Sequence, residues 1–173
     1  MRIDYRPSWL LALALIGTLP STMVAQAGPE GLTCLRASED SITGDREQEL
    51  RSLVLWLQSE LGEFDSLIDI LQDPSVEICL AERLFGMQGY FEVESNRIVL
   101  NGTLEPGLQR AVAIHELRHA QQNQMGICLD PALSMRSTAR LVLAMEADAS
   151  AIGAGIAWVL REAGEPDVWD ALA

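Results

Sequence analysis

The sequence predicts an α+β fold: one mostly helical domain with a small antiparallel hairpin or sheet lying beside a central helix. Two observations carry this. Apolar side chains recur at three- and four-residue spacing around 45–61, 106–125 and 137–160, the mark of helices that bury one face. Between the first two stretches, β-favouring runs at 90–93 and 97–100 flank Glu94, Ser95 and Asn96, which reads as two strands and a turn.

The first 27 residues stand apart from that domain. Arg2 and Arg6 precede a short apolar run at 9–19, Pro20 ends it, and Ala25-Gln26-Ala27 puts small residues at the cleavage positions. That is the order of features in a secretory signal peptide. The apolar run is about half the ~20 residues that a membrane span needs. The protein is therefore expected to be exported, periplasmic or secreted, with residues 28–173 as its mature form.

Residues 28–44 are rich in glycine, serine, threonine and acids and read as a flexible N-terminal arm, which leaves 45–173 as the domain proper. Asp45 is a suitable N-cap for a helix whose apolar face is Leu50, Leu53, Val54, Leu57 and Leu61, with Gly62 as its stop. A second short helix groups Phe64, Leu67, Ile68 and Leu71, and Asp73-Pro74 turns the chain. Residues 76–84 fit strand and helix equally. After the hairpin, Asn101-Gly102 turns the chain again, and Pro106 stands where a first helical residue tolerates proline. That helix is expected to stop at Gly126. A loop at 126–134 holds Cys128 and Asp130-Pro131. A long apolar helix, expected to be buried, follows from about Ser137 to about Leu160, and the tail from Pro166 adds a further turn.

The 173-residue chain has a formal charge of −13, and all twelve of its basic residues are arginine. Loss of 1–27 would remove two arginines and one aspartate and take the charge to about −14. Nucleic acids and anionic membranes need a positive face, so neither is expected as a partner. No second segment is expected to span a membrane, and the oligomeric state is left open. Cys34, Cys79 and Cys128 permit one internal bridge and leave one thiol, with the pairing undetermined. No CxxC spacing occurs, which argues against a cysteine-based zinc site.

The chemistry concentrates at 115–119, His-Glu-Leu-Arg-His. His115 and His119 are the only histidines and stand four apart, which puts both imidazoles on one helix face within reach of a single ion. Glu116 lies ~100° round the helix from His115, placed to act on a water at the metal as a general base. The longer pattern HExxHxxGxxH is not present, since Gln122 and Met125 occupy its later positions. A catalytic zinc takes three protein ligands and keeps one position open. With no third histidine, the third ligand falls to a carboxylate or a cysteine, and Glu146 is the first candidate because its neighbours are almost all apolar and an unpaired buried carboxylate is costly. Asp148 is the rival. The two acids are ~200° apart on a helix, so one is expected to bind metal and the other to pair with an arginine or orient a ligand. Cys128 is a further option, weighed against a disulfide or a buried thiol. Gln121 and Gln122, which continue the helix, would join a polar network or face water.

The run His-Glu-Leu-Arg-His-Ala-Gln-Gln, with Glu-Ala-Asp-Ala further on, resembles the minimal gluzincin-type metallopeptidases. It resembles more closely a bacterial family of metallopeptidase domains marked by HELRHA-Q and a downstream E-x-D-A. The resemblance covers about residues 86–160. It implies a zincin-like domain, a Zn2+ cofactor held by His115, His119 and a glutamate, Glu116 as base, and peptide or protein substrates. Many gluzincins place the ligand glutamate four residues before an accessory aspartate; here that position is Ala144. In zincins an edge strand above the metal holds substrate backbone, a role open to the hairpin that begins near Tyr90. The expected activity is zinc-dependent peptide-bond hydrolysis. The competing expectation is a non-catalytic zinc-binding or interaction module derived from such an enzyme.

Overall fold

Side-chain alternation decides how the sheet is built. The computed structural model describes residues 30–38 and 43–173; the leader read at 1–27 lies outside them. Strands β1 (Glu30–Leu35), β2 (Glu77–Arg83), β3 (Gly89–Glu92) and β4 (Arg97–Asn101) form one sheet in the order β1-β2-β4-β3. β1 pairs antiparallel with β2, β2 parallel with β4, and β3 antiparallel with β4. The α+β class is as expected, but the sheet is mixed and larger than the hairpin alone. Ile78, Leu80, Ile98 and Leu100 join the main core on the helical side, while Cys79, Ala81 and Val99 form a smaller cluster with Cys34 and Tyr90 on the other. The two inner strands are thus buried on both faces, which removes polar alternation from the sequence. That explains why 76–84 fitted strand and helix alike.

At the N-terminal end two expectations are corrected, and the cysteine pairing that the sequence left open is given. Residues 30–35, assigned to a flexible arm, form β1 at one edge of the sheet. The register sets Cys34 opposite Cys79, and the two are joined by a disulfide, which leaves Cys128 as the exposed free thiol. Helix α1 (Asp45–Glu60) takes Gly44 rather than Asp45 as its N-cap; Asp45 is the first helical residue, where its charge favours the helix dipole. α1 buries Leu50, Leu53, Val54 and Leu57, and α2 (Asp65–Gln72) buries Leu67, Ile70 and Leu71.

Helix α3 (Pro106–Gln124) runs between the sheet and the other helices, against β3, β4, α2 and the two helices that follow it. Pro106 opens it and Gly126, at φ +77°, closes it. The Ile127 amide donates to the Gln122 carbonyl at 2.9 Å and the Gly126 amide to the Asn123 carbonyl at 2.9 Å, the paired bonds that a left-handed glycine permits at a helix end. Gly89 brings β3 close to α3: a Cβ there would lie 2.6 Å from Val112 Cγ1 and 3.0 Å from the Val99 carbonyl oxygen.

Helix α4 (Met135–Glu162) is capped by Ser134, whose hydroxyl accepts from the Ser137 amide. It is not the buried helix expected from its apolarity. Only Ala149, Ile156, Ala157 and Leu160 are fully buried, and Leu143, Trp158 and Val159 are exposed. By length and composition it also meets the criterion for a membrane-crossing helix, which the sequence reading granted to no segment after the leader. Its middle, however, carries Glu146 and Asp148, and both meet polar groups of α3. Helix α5 (Asp167–Leu172) holds the far end of α4: Trp169 stacks edge-on against Trp158 at 5.1 Å, and Asp167 pairs with Arg110 of α3 at 3.2 Å.

Candidate metal centre

The i, i+4 spacing on α3 turns His115 and His119 to one side, with their Nε2 atoms 3.0 Å apart. From α4, the Glu146 carboxylate reaches both: Oε2 is 3.3 Å from His115 Nε2 and Oε1 is 3.4 Å from His119 Nε2. One donor atom from each of the three residues lies within 4.8 Å of the others. Two imidazole nitrogens and a carboxylate oxygen converging on one point form the donor set of a three-residue metal site with room for a further ligand. Glu146 is exposed rather than embedded as expected, so its place in this cluster is not forced by burial. Cys128 stands outside the cluster.

The His119 ring is held by a chain of hydrogen bonds. Its Nδ1 meets Gln122 Oε1 at 2.9 Å. Gln122 is fully buried, and its Nε2 donates to Asp148 Oδ2 at 2.8 Å and to the Met145 carbonyl at 3.0 Å. With both amide hydrogens committed to acceptors, Oε1 must face the imidazole, so Nδ1 carries the proton and Nε2 presents a lone pair to the cluster. Asp148 accepts in addition from Arg118 Nε at 2.6 Å. Arg118 also donates to Gln121, whose Nε2 donates to the Ser66 carbonyl at 3.2 Å. The two acids of α4 therefore divide: Glu146 meets the histidines, and Asp148 meets Arg118 and Gln122.

The charge states agree with this geometry. Burial lowers the His115 pKa, and His119 lowers it further against the opposing pull of Glu146, so the ring is neutral and free to donate a lone pair. The Asp148 carboxyl is held below its usual range by the Arg118 hydrogen bond and then by Gln122. Glu116 is 6 % exposed. Burial pushes its pKa up to about 7; Glu146 adds to the rise, while His119 and a hydrogen bond from the Phe91 backbone amide oppose it. A carboxyl poised near neutrality is suited to taking up and releasing a proton. A cation between the histidines and Glu146 would supply the positive charge that this buried acid lacks.

His115, Glu116, His119 and Glu146 line a cleft of about 1040 Å³ between β3 and α4. β3 pairs with β4 alone, so its outer edge is free of strand partners among the described residues. The Asn101 amide donates to the Gln88 carbonyl at 2.8 Å. Alternation then turns the backbone groups of Tyr90 inward and those of Gly89 and Phe91 outward, as the Phe91 amide bond to Glu116 requires. The Tyr90 side chain packs in the small cluster with Val99 and Cys79. Asn123, one turn beyond His119, also lines the cleft. Sequence reading passed over Asn123 and left Gln122 undecided between network and water; the four-residue repeat from His115 through His119 to Asn123 was the available signal.

A family model described as "Putative metallopeptidase family (DUF6782)" matches residues 25–173. No curated protein and no solved structure matches the chain.

Proposed function

The chain belongs to that metallopeptidase family, and from this premise we propose that it is an exported zinc peptidase of the gluzincin type. The observation that carries the reading is the convergence of His115 Nε2, His119 Nε2 and the Glu146 carboxylate beside the buried carboxyl of Glu116. In the proposal these three side chains hold the ion. Two imidazoles and one carboxylate suit Zn2+, and the His119–Gln122 bond supports it by keeping Nε2 unprotonated. Zinc, when bound, supplies a Lewis acid that polarises the scissile carbonyl and acidifies water.

The chain's own residues do the rest. Glu116 takes a proton from the attacking water and passes it to the leaving amine. The outward backbone groups of Gly89 and the Phe91 carbonyl receive an extended peptide as an added strand, which lays its backbone across the histidines. α4 walls the other side of the cleft. The Cys34–Cys79 bridge supports export, because disulfides persist in oxidising compartments.

Metal content and cleavage test the proposal together. Purified protein should carry close to one zinc per chain, and His115→Ala and His119→Ala should carry almost none. Glu116→Gln should retain zinc and lose peptide cleavage by about 10²–10⁴-fold. A wild-type protein without zinc, or histidine variants that bind as much as wild type, would overturn the metal assignment. Zinc binding without Glu116-dependent cleavage would make the domain a binding module.

A further inference from the structure

The walls and rim of the cleft specify more than a peptide backbone. Met87, Val93, Leu129 and Leu172 line it while each remaining more than half exposed. They come from four separate places: the loop before β3, the β3–β4 turn, the α3–α4 loop and α5. Deeper in, Leu108, Val112 and Met145 continue the apolar surface. Contiguous exposed apolar surface at a cleft mouth marks a place where an apolar partner is bound.

The charge on this surface beyond the metal cluster has one sign. With Glu146 meeting the two histidines and Glu116 buried beside them, Glu94 is the carboxylate that remains on the cleft lining, and no arginine lines the cleft among the described residues. The chain has no lysine at all. Glu94 sits exposed in the β3–β4 turn and makes no ion pair among the described residues. A formal charge of −13 on the whole chain adds a field that attracts cations and repels anions from this mouth.

We propose that the substrate is an extended cationic apolar peptide segment: apolar over the residues that lie in the cleft, with arginine or lysine flanking them. This rests on the peptidase reading above for its chemistry but on the rim and the charges for its selectivity. Glu94 is then a specificity residue that meets a basic flank, and the four rim side chains cover the apolar centre.

The test uses zinc-supplied protein and four fluorogenic peptides of about ten residues, the length that crosses such a cleft in extended form. One has an apolar centre and arginine flanks, one the same centre and glutamate flanks, one the same centre and serine flanks, and one a serine–glutamine centre with arginine flanks. The arginine-flanked apolar peptide should be cleaved with kcat/KM about tenfold or more above the glutamate-flanked and polar-centred ones. Glu94→Gln should narrow the flank preference several-fold, and so should ionic strength of about 0.5 M. Anisotropy with the Glu116→Gln protein separates the two readings. Selective binding of the arginine-flanked apolar peptide without any wild-type cleavage would keep this proposal and sink the peptidase. Cleavage of all four peptides at similar rates, or preference for the glutamate-flanked one, would keep the peptidase and overturn this proposal. Sedimentation as a stable dimer that binds none of the peptides would give the rim to a second copy of the chain and overturn it too.

Discussion

Two helices build the candidate site under opposite conditions. α3 is enclosed by the sheet, α2, α4 and α5, and its polar residues Glu116, Gln121 and Gln122 are buried with it. α4 crosses α3 with few buried side chains and shows much of its apolar surface to solvent. The enclosed helix contributes both histidines and the general-base candidate; the exposed one contributes Glu146. The contrast teaches that the site has a fixed half and a half held chiefly by its polar contacts. For α3, position is set by packing. For the middle of α4, Ala149 aside, it is set by Gln122 bonding the Met145 carbonyl and by Asp148 meeting Arg118.

The largest expected effect tests the packing side of that contrast. Leu117 is fully buried on α3 and Leu143 is 69 % exposed on α4. Leu117→Ala should cost about 2–5 kcal/mol in urea unfolding, and Leu143→Ala less than about 0.5 kcal/mol. Equal losses would mean that α4 is covered in solution.

The next effect reads the buried charge of α3. In metal-stripped protein the folded-state pKa of Glu116 stands near about 7 against an ordinary 4.5. The folded state then holds a proton that the unfolded chain has already released, so stability falls as pH rises from about 4.5 to about 7 and levels off above. Glu116→Gln removes that loss. Its stability relative to wild type should rise by up to about 3 kcal/mol between about pH 4.5 and pH 8, and added zinc should shrink the gain by favouring the charged carboxylate. A pH-independent difference between the two metal-free proteins would show that Glu116 does not titrate this way.

A smaller effect probes the link between the helices. Gln122→Ala should weaken zinc binding about 10–100-fold in a chelator competition, because His119 loses the partner of its Nδ1. Ser150→Ala, on the α4 wall of the same cleft, should leave affinity unchanged. The smallest effect belongs to Asp148, whose side chain is 40 % exposed. Its lowered pKa contributes stability above the ordinary carboxylate value near 3.8 that disappears as pH falls through the lowered one. Asp148→Asn should therefore melt below wild type at about pH 6, by less than about 1 kcal/mol after solvent screening, and match it in strong acid.

What could be read in advance follows the range of the interactions. His115, Glu116 and His119 are fixed relative to one another by one helix, so spacing alone was enough to group them. Glu146 and Asp148 were narrowed to two roles by their ~200° separation, but which acid met which partner depended on how α4 crosses α3. β1 was missed because a six-residue strand that opens on Glu30 and Gly31 carries little propensity of its own; it is defined by β2 beside it. The exposure of α4 was misread for a related reason. Apolarity reports what a helix is able to bury, and the elements available to cover it come from elsewhere in the chain.

Gly89 leaves one further consequence. Because a Cβ there would press on Val112 and on the Val99 carbonyl, a single added methyl would act as a shim between β3 and α3. It would widen the aperture of the cleft and draw the Phe91 amide from Glu116, while His115, His119 and Glu146, on other elements, kept their distances. The width of the entrance and the acidity of Glu116 would then be tuned from one codon, with the cluster of His115, His119 and Glu146 left as it was.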